Sequence, residues 1–221
     1  MPAEPALLQT ARSKLYTSVL SDTLDSFGYR RQALPPTIRP LDDDLALVGR
    51  ARTGLFRDVY HVEPGENPYE LEIALLDDLK PDDVAVLACG ASGRIAPWGE
   101  LLSTAASMRG ATGCLTDGLV RDVRYIRDMR FPVFAGGIAP LDSQGRGKLI
   151  AIDVPVEVGG VLVQPGDLVF GDVDGVVIIP SAVEEQILTQ ALLKVEGENA
   201  TRECLQKGML LHEVYEKFGV L

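Results

Sequence analysis

Apolar positions recur with two different periods along this chain. Leu8, Ala11, Leu15, Val19, Leu20 and Leu24 fall three or four residues apart, except for the adjacent Val19 and Leu20; this is the spacing that puts side chains on one helical face. This predicts helix from Pro5 to Phe27, with Ser18 or Ser21 capping a second short helix through "DTLDSF" and Gly28 ending it. The stretch "ALPPTIRPL" (33–41) is a proline-broken connection, and "LALVGRARTGLF" (45–56) is strand-like with glycines at bends. "NPYELEIALLDDL" (67–79) predicts a helix with Pro68 near its first turn. Short apolar runs then alternate with helix formers. "KPDDVAVLACG" (80–90) is a turn and a buried strand, "GELLSTAASMRG" (99–110) a helix between glycines, and "ATGCLTDG" (111–118) a strand. "VRDVRYIRDM" (120–129) reads as a helix and "FPVFAGG" (131–137) as a third strand.

Strand, helix, strand, helix, strand from 84 to 137 argues a parallel sheet with crossover helices. The pattern changes at "LIAIDVPVEVGGVLVQPGDLVFGDVDGVVIIP" (149–180). Its β-branched residues and the turn pairs Gly159-Gly160, Pro165-Gly166 and Asp174-Gly175 predict antiparallel strands and hairpins. "SAVEEQILTQALLKVEGENATRECLQ" (181–206) begins with a capping-box pattern, Ser181 to Glu184, and continues as an amphipathic helix. The similar turn–strand units "KPDDVAVLACG" and "QPGDLVFGDVDG" share turn chemistry and are not a repeat. No low-complexity linker divides the chain. The expectation is an α/β fold in one domain, 1–221, with N-terminal helices over 5–28 and a C-terminal helix over 181–206.

Composition narrows the function classes. A net charge of −11 repels phosphate backbones and argues against direct nucleic-acid binding. No apolar run is long enough to span a membrane, and the N-terminus lacks the basic and apolar regions of a signal peptide. Cys89, Cys114 and Cys204 are an odd number without CxxC spacing, which suggests reduced thiols and a cytoplasmic location.

Open α/β sheets bind ligands beyond the carboxyl ends of their strands. Two such places carry chemistry here: "GRIAPWGELL" (93–102) and "TDGLVRD" (116–122). The backbone N–H groups of Gly99, Glu100, Leu101 and Leu102 would form an anion nest at a helix start. Arg121 offers a bidentate fork to the same anion, and Asp122 a hard oxygen ligand for Mg²⁺ or Mn²⁺. A solvated helix start accounts for the same residues, because the dipole alone favours an acid there. Asp117 before Gly118 reads as a turn residue, Trp98 as a packed core aromatic, and His61 as a surface residue. His61 and His212 have no companion ligands for zinc. "ACGASG" lacks the lysine of a phosphate loop and the GxSxG of a hydrolase elbow. None of the six lysines sits in an apolar strand as a Schiff-base lysine does, although Lys148 at a strand start stays open.

Taken together, "GELLSTAASMRGATGCLTDGLVRD" resembles the RraA-like family, which holds class II 4-hydroxy-4-methyl-2-oxoglutarate aldolases and non-enzymatic regulators of a ribonuclease. Its enzymes share an acidic residue, twenty intervening residues, then Arg-Asp; residues 101–120 separate Glu100 from Arg121 here. The resemblance continues through "PVFAGG", "VQPGDLVFGDVDGVVIIP", "EGENATRECLQKG" and "YEKFG", and reaches back to "SVLSDTLDSFG". It spans about Ser18 to Gly219. One departure is Glu100, where the aldolases carry Asp, so the carboxylate is displaced by one methylene.

The resemblance implies a layered β/β/α swivelling fold with a parallel central sheet and an antiparallel sheet, in trimers or hexamers with sites at subunit interfaces. It implies that Asp122 holds a divalent cation, Mg²⁺ or Mn²⁺, and that Arg121 and the nest at Gly99 to Leu102 bind a keto acid. Glu100, or a water it orients, would act as base, and Glu198 would come from a neighbouring subunit. The implied activity is retro-aldol cleavage of 4-hydroxy-2-keto acids to pyruvate, with oxaloacetate decarboxylation by the same chemistry. The alternatives are a non-catalytic regulator that binds a ribonuclease, its acidity mimicking nucleic acid, and a metal-dependent lyase or hydrolase on a different small acid. Retention of Arg121-Asp122 speaks against a purely regulatory member.

Overall fold

The computed structural model describes residues 4–219. Two helices open the chain, α1 (Pro5–Lys14) and α2 (Thr17–Ser26). The break falls at Leu15–Tyr16 rather than at Ser18 or Ser21, and no local side chain caps α2. The cap is supplied from afar: the Asp172 carboxylate accepts the Thr17 N–H at 2.7 Å and its hydroxyl at 2.6 Å.

The remaining elements are β1 (Arg39–Pro40), β2 (Leu47–Asp58), α3 (Glu70–Asp77), β3 (Asp83–Ala88), α4 (Glu100–Met108), β4 (Gly113–Val120), α5 (Val123–Asp128) and β5 (Val133–Ile138). They continue as β6 (Gly147–Ile152), β7 (Val156–Val158), β8 (Val161–Val163), β9 (Leu168–Asp172), β10 (Gly175–Ile179), α6 (Glu184–Gln206) and α7 (Leu211–Phe218). The large sheet has the order β1-β5-β4-β3-β2-β9-β10, with β6 also on β2. The neighbours β2, β3, β4 and β5 pair in parallel, as the alternation over 84–137 requires, and β1, β6, β9 and β10 join antiparallel. The antiparallel run divides: β6, β9 and β10 join the large sheet, while β7 and β8 form a separate hairpin.

The sheet nearly closes on itself. Residues before β1 pair with β10, where Leu34 N–H donates to the Val176 carbonyl at 2.9 Å, and β1 itself pairs with β5. Arg39 then donates to the carbonyls of Val173 and Asp174 in the β9–β10 turn.

Strand alternation sorts side chains into three cores. Val84, Val86 and Ala88 of β3, Leu115 of β4, Phe134 of β5 and Val169 of β9 face inward, where the β7–β8 hairpin covers them. Ala85, Leu87, Cys114, Val133 and Ala135 face outward beneath α3, α4 and α5. Leu168, Phe170, Val177 and Ile179 face outward beneath α1, α2 and α6. Burial on both faces explains why these strands read as mostly apolar runs, with Thr116 and Asp117 of β4 as buried polar exceptions. The hairpin, large sheet and helices are the β/β/α layers.

Three local expectations change. The predicted helix 181–206 starts at Glu184, and the Ser181–Glu184 box does not form. Glu184 is instead fully buried in an ion pair with Arg50 of β2, and the Ser181 N–H is taken by Asp167 at 2.9 Å. The predicted helix 120–129 starts only at Val123, because β4 runs to Val120 and Asp122 takes a left-handed φ of 58°. Helix α7 has a pattern that sequence reading passed over, Leu211, Val214, Tyr215 and Phe218 on one face. Among the described residues no helix is long and apolar enough to cross a membrane.

Candidate active site

A cleft of about 350 Å³ opens beyond the carboxyl end of β4, between α3, α4 and the loop that follows β5. Gly99, Leu101, Leu102, Arg121 and Asp122 line it, so the fold brings these five predicted residues together. The chain builds this place in steps. Trp98 bridges to Val120 and its carbonyl accepts the Arg121 N–H at 3.0 Å, which fastens the start of α4 to the end of β4. Trp98 is fully buried, stacks on Phe131 and donates its indole N–H to Ser103 at 2.8 Å. Gly99 is then the N-cap of α4 and brings no side chain to cap it. A Cβ there would stand 2.7 Å from Asp122 Oδ2 and 3.1 Å from Arg121 Cγ, so only glycine admits the Arg-Asp pair this close to the helix start.

Asp122 Oδ2 accepts the Glu100 N–H at 3.3 Å. Its left-handed backbone turns the chain sharply between β4 and α5, a conformation that aspartate tolerates better than most residues. Arg121 lies 3.6 Å from Asp122 and 3.7 Å from Asp142, and donates to the Leu141 carbonyl at 3.4 Å. These are loose contacts for a guanidinium that is about two-fifths exposed. Asp142 in turn accepts the Tyr69 hydroxyl at 2.9 Å.

Sequence reading missed the wall opposite: Tyr69, Glu72, Asp142 and Ser143. Glu72 is only 6% exposed, with the Ser143 hydroxyl donating to it at 3.2 Å. Burial pushes its carboxyl up to about 7; Asp142 adds to the rise, while Ser143 and Arg121 oppose it. Burial also lifts the Tyr69 hydroxyl to about 12, helped by its bond to Asp142. For Asp142 burial is the largest influence and acts upward, but the Tyr69 hydroxyl and Arg121 together hold the carboxyl below its ordinary range. A signal for Glu72 was present. In "YELEIALLDDL" it shares a helical face with Leu75, Leu76 and Leu79, which makes it an acid on an apolar stripe.

Glu100 and Glu198 stand elsewhere. The Glu100 carboxylate accepts the Thr104 hydroxyl one turn along α4 at 2.9 Å and is not part of the cleft lining. Glu198 accepts the Tyr16 hydroxyl and lines a separate groove with Ser18, Asp22 and Arg202. Asp117 is no turn residue: it is buried in β4 and its carboxylate takes the N–H groups of Cys89, Ala91 and Gly159, fixing the loop after β3. Lys148 is held by Glu66, and His61 is exposed beside Glu63.

Among the described residues no three His, Cys, Asp or Glu side chains gather as a metal cage. Asp122 is a single hard oxygen donor at the cleft mouth, its side chain 43% exposed. That fits Mg²⁺ or Mn²⁺ carried mostly by water and ligand oxygens, and does not fit structural zinc.

Comparison with known proteins locates relatives of this arrangement. A family model described as RraA-like, Aldolase/RraA, matches residues 17–178. A Halalkalibacterium halodurans protein named "Putative 4-hydroxy-4-methyl-2-oxoglutarate aldolase" is 32% identical over 201 residues, 90% of this chain and 89% of its own. The structure of Streptomyces coelicolor RraAS2, described as an unusual member of the RNase ES inhibitor RraA protein family, superposes with a TM-score of 0.80 at 28% identity, covering 91% of this chain and 98% of that one. An uncharacterized Pseudomonas syringae protein superposes at 0.85 with 25% identity, over 97% of this chain and 98% of its own.

Proposed function

This chain belongs to the RraA-like family, and from that premise we propose that it is a divalent-metal-dependent carbon–carbon lyase. Its substrates in this reading are 4-hydroxy-2-keto acids of the 4-hydroxy-4-methyl-2-oxoglutarate type, cleaved to pyruvate, and oxaloacetate is decarboxylated at the same site. The observation that carries the reading is the loosely held Arg121 beside Asp122 at a helix start whose N-cap, Gly99, brings no side chain of its own. Proteins named as aldolases among the relatives support it.

The substrate carboxylate is received by the free N–H groups of Leu101 and Leu102, where the α4 dipole is positive. Arg121 leaves its loose contacts with Asp142 and Leu141 and pairs with the 2-keto-acid end. When C3–C4 breaks, negative charge gathers on the 2-keto oxygen, and a fixed guanidinium there is worth about 10²- to 10³-fold in rate. Asp122 would hold Mg²⁺ or Mn²⁺, which supplies Lewis-acid polarisation of that oxygen when bound. Glu100, oriented by Thr104, takes the C4-hydroxyl proton through a water rather than directly, since its carboxylate is outside the lining. Glu198 reaches the cleft only from a neighbouring subunit, which makes a trimer or hexamer part of the proposal.

A second reading, a non-catalytic regulator that binds a ribonuclease, draws on the similarity to RraAS2. A panel of 4-hydroxy-2-keto acids and oxaloacetate, with pyruvate release coupled to lactate dehydrogenase, separates the two. Metal-dependent pyruvate release is the expected result. No release from any of these acids, with Mg²⁺ or Mn²⁺ present, would overturn this reading and leave the regulator or a metal-dependent enzyme acting on a different small acid.

A further inference from the structure

Cleavage leaves an electron pair on C3 of the pyruvate unit, and a proton must be delivered there. Five ionisable groups line the cleft. Asp122 stands at its mouth and in this reading is given to the metal, and of the other four three are unsuited to carrying the proton. Tyr69 donates to Asp142 and is pushed up to about 12; Asp142 is held below the ordinary carboxylate range; Arg121 stays charged. Glu72 is the fourth. It lies on the cleft wall, nine-tenths buried, and accepts a hydrogen bond from the neutral Ser143 hydroxyl.

We propose that Glu72 is the proton carrier for C3 of the pyruvate unit. The C3–C4 bond breaks, its electron pair becomes the C2–C3 double bond, and the charge rests on the 2-keto oxygen. The Glu72 carboxylic acid then gives its proton to C3; the double-bond electrons form the new C–H bond, and the 2-keto carbonyl returns. Glu72 is left as carboxylate and is reprotonated from solvent, which meanwhile has received the proton lost by the C4 hydroxyl. The reverse step removes a methyl proton from bound pyruvate. This rests on the lyase reading, and assigns it a residue that the spacing of Glu100, Arg121 and Asp122 does not include.

Burial on the cleft wall supplies what the role needs. A carboxyl lifted to about 7 exchanges protons in either direction at neutral pH, whereas an exposed one is almost entirely ionised. The groups facing it act in opposite senses: Asp142 raises it, while Ser143 and Arg121 lower it. Removing the Ser143 hydroxyl therefore moves Glu72 further up.

The test is hydrogen–deuterium exchange of the pyruvate methyl group in D₂O, followed by proton NMR with Mg²⁺ and the full chain. The wild-type protein is expected to exchange, faster as pH rises through the neutral range, because the carboxylate is the form that takes the proton. Glu72→Gln should lower exchange by about 10²-fold or more while binding oxalate, a planar mimic of the enolate, within about three-fold of wild type. Ser143→Ala should retain exchange and shift its midpoint to higher pH. Exchange at the wild-type rate in Glu72→Gln, or an unmoved midpoint in Ser143→Ala, overturns the assignment. Should Glu72→Gln fail to fold, the Ser143→Ala midpoint decides it. A wild-type protein that releases pyruvate yet exchanges nothing also overturns it, whereas one that does neither refutes the lyase reading itself.

Discussion

Arginines stand at both ends of the parallel strands, and their surroundings differ. Near the start of β3, Arg50 is paired with buried Glu184, Arg52 sits between Asp78 at 3.0 Å and Asp153 at 2.9 Å, and Arg12 meets Asp82 at 2.6 Å. Beyond the end of β4, Arg121 has its nearest carboxylates at 3.6 and 3.7 Å. At the first end the guanidinium is satisfied by the protein and ties elements together. At the second it is held near, but not in, hydrogen-bonding distance of carboxylate, so a ligand can displace its partners at small cost. The contrast separates structural from functional charge better than a count of arginines does.

The comparison breaks most severely through Asp122. Asp122→Ala, or removal of divalent metal with EDTA, should abolish pyruvate release. The substitution should lower the melting temperature only modestly, through one long hydrogen bond, a loose contact with Arg121 and the cost, about 1 kcal/mol, of alanine at a left-handed φ. Turnover by chelated protein would mean that the loose end is not a metal site. Glu100→Gln comes next, with kcat expected to fall by about 10²-fold at unchanged melting temperature; Glu100→Asp should retain or raise activity. An unchanged kcat for the glutamine variant would place Glu100 with the structural charges, as a first-turn acid on α4. Asp142→Asn has the smallest effect and sharpens the picture. It keeps a partner for Tyr69 but removes the negative charge, so the Tyr69 hydroxyl should titrate lower by ultraviolet absorbance, while kcat/KM changes by less than about ten-fold. A Tyr69 titration that stays in place would show that burial alone sets it.

What the sequence discloses follows the same division. The βαβ succession from 84 to 137 is legible because the buried strands are mostly apolar, and α4, the helix between β3 and β4, is bounded by glycine. The Arg-Asp pair is legible as a place because strand ends bind ligands. Hidden features depend on partners remote in sequence. Ser181 and Glu184 have the spacing of a capping box, but Arg50, more than a hundred residues earlier, claims the glutamate. Asp117-Gly118 has the composition of a turn, yet three N–H groups from two other segments hold it in β4. Glu72 and Asp142 enter the cleft from α3 and the loop after β5, neither of which adjoins "GLVRD" in sequence.

The most direct test of the account sets the two ends against each other: kcat/KM for pyruvate release and the melting temperature, measured side by side for Arg121→Lys and Arg50→Met. Arg121→Lys keeps the charge but loses the fork, and should lower kcat/KM by about 10²-fold or more with the melting temperature unchanged. Arg50→Met removes the ion pair that ties β2 to α6, and should lower the melting temperature while the folded protein turns over at the wild-type rate. If Arg121→Lys were fully active, or if Arg50→Met lost turnover without losing stability, the cleft beyond β4 would not be the active site.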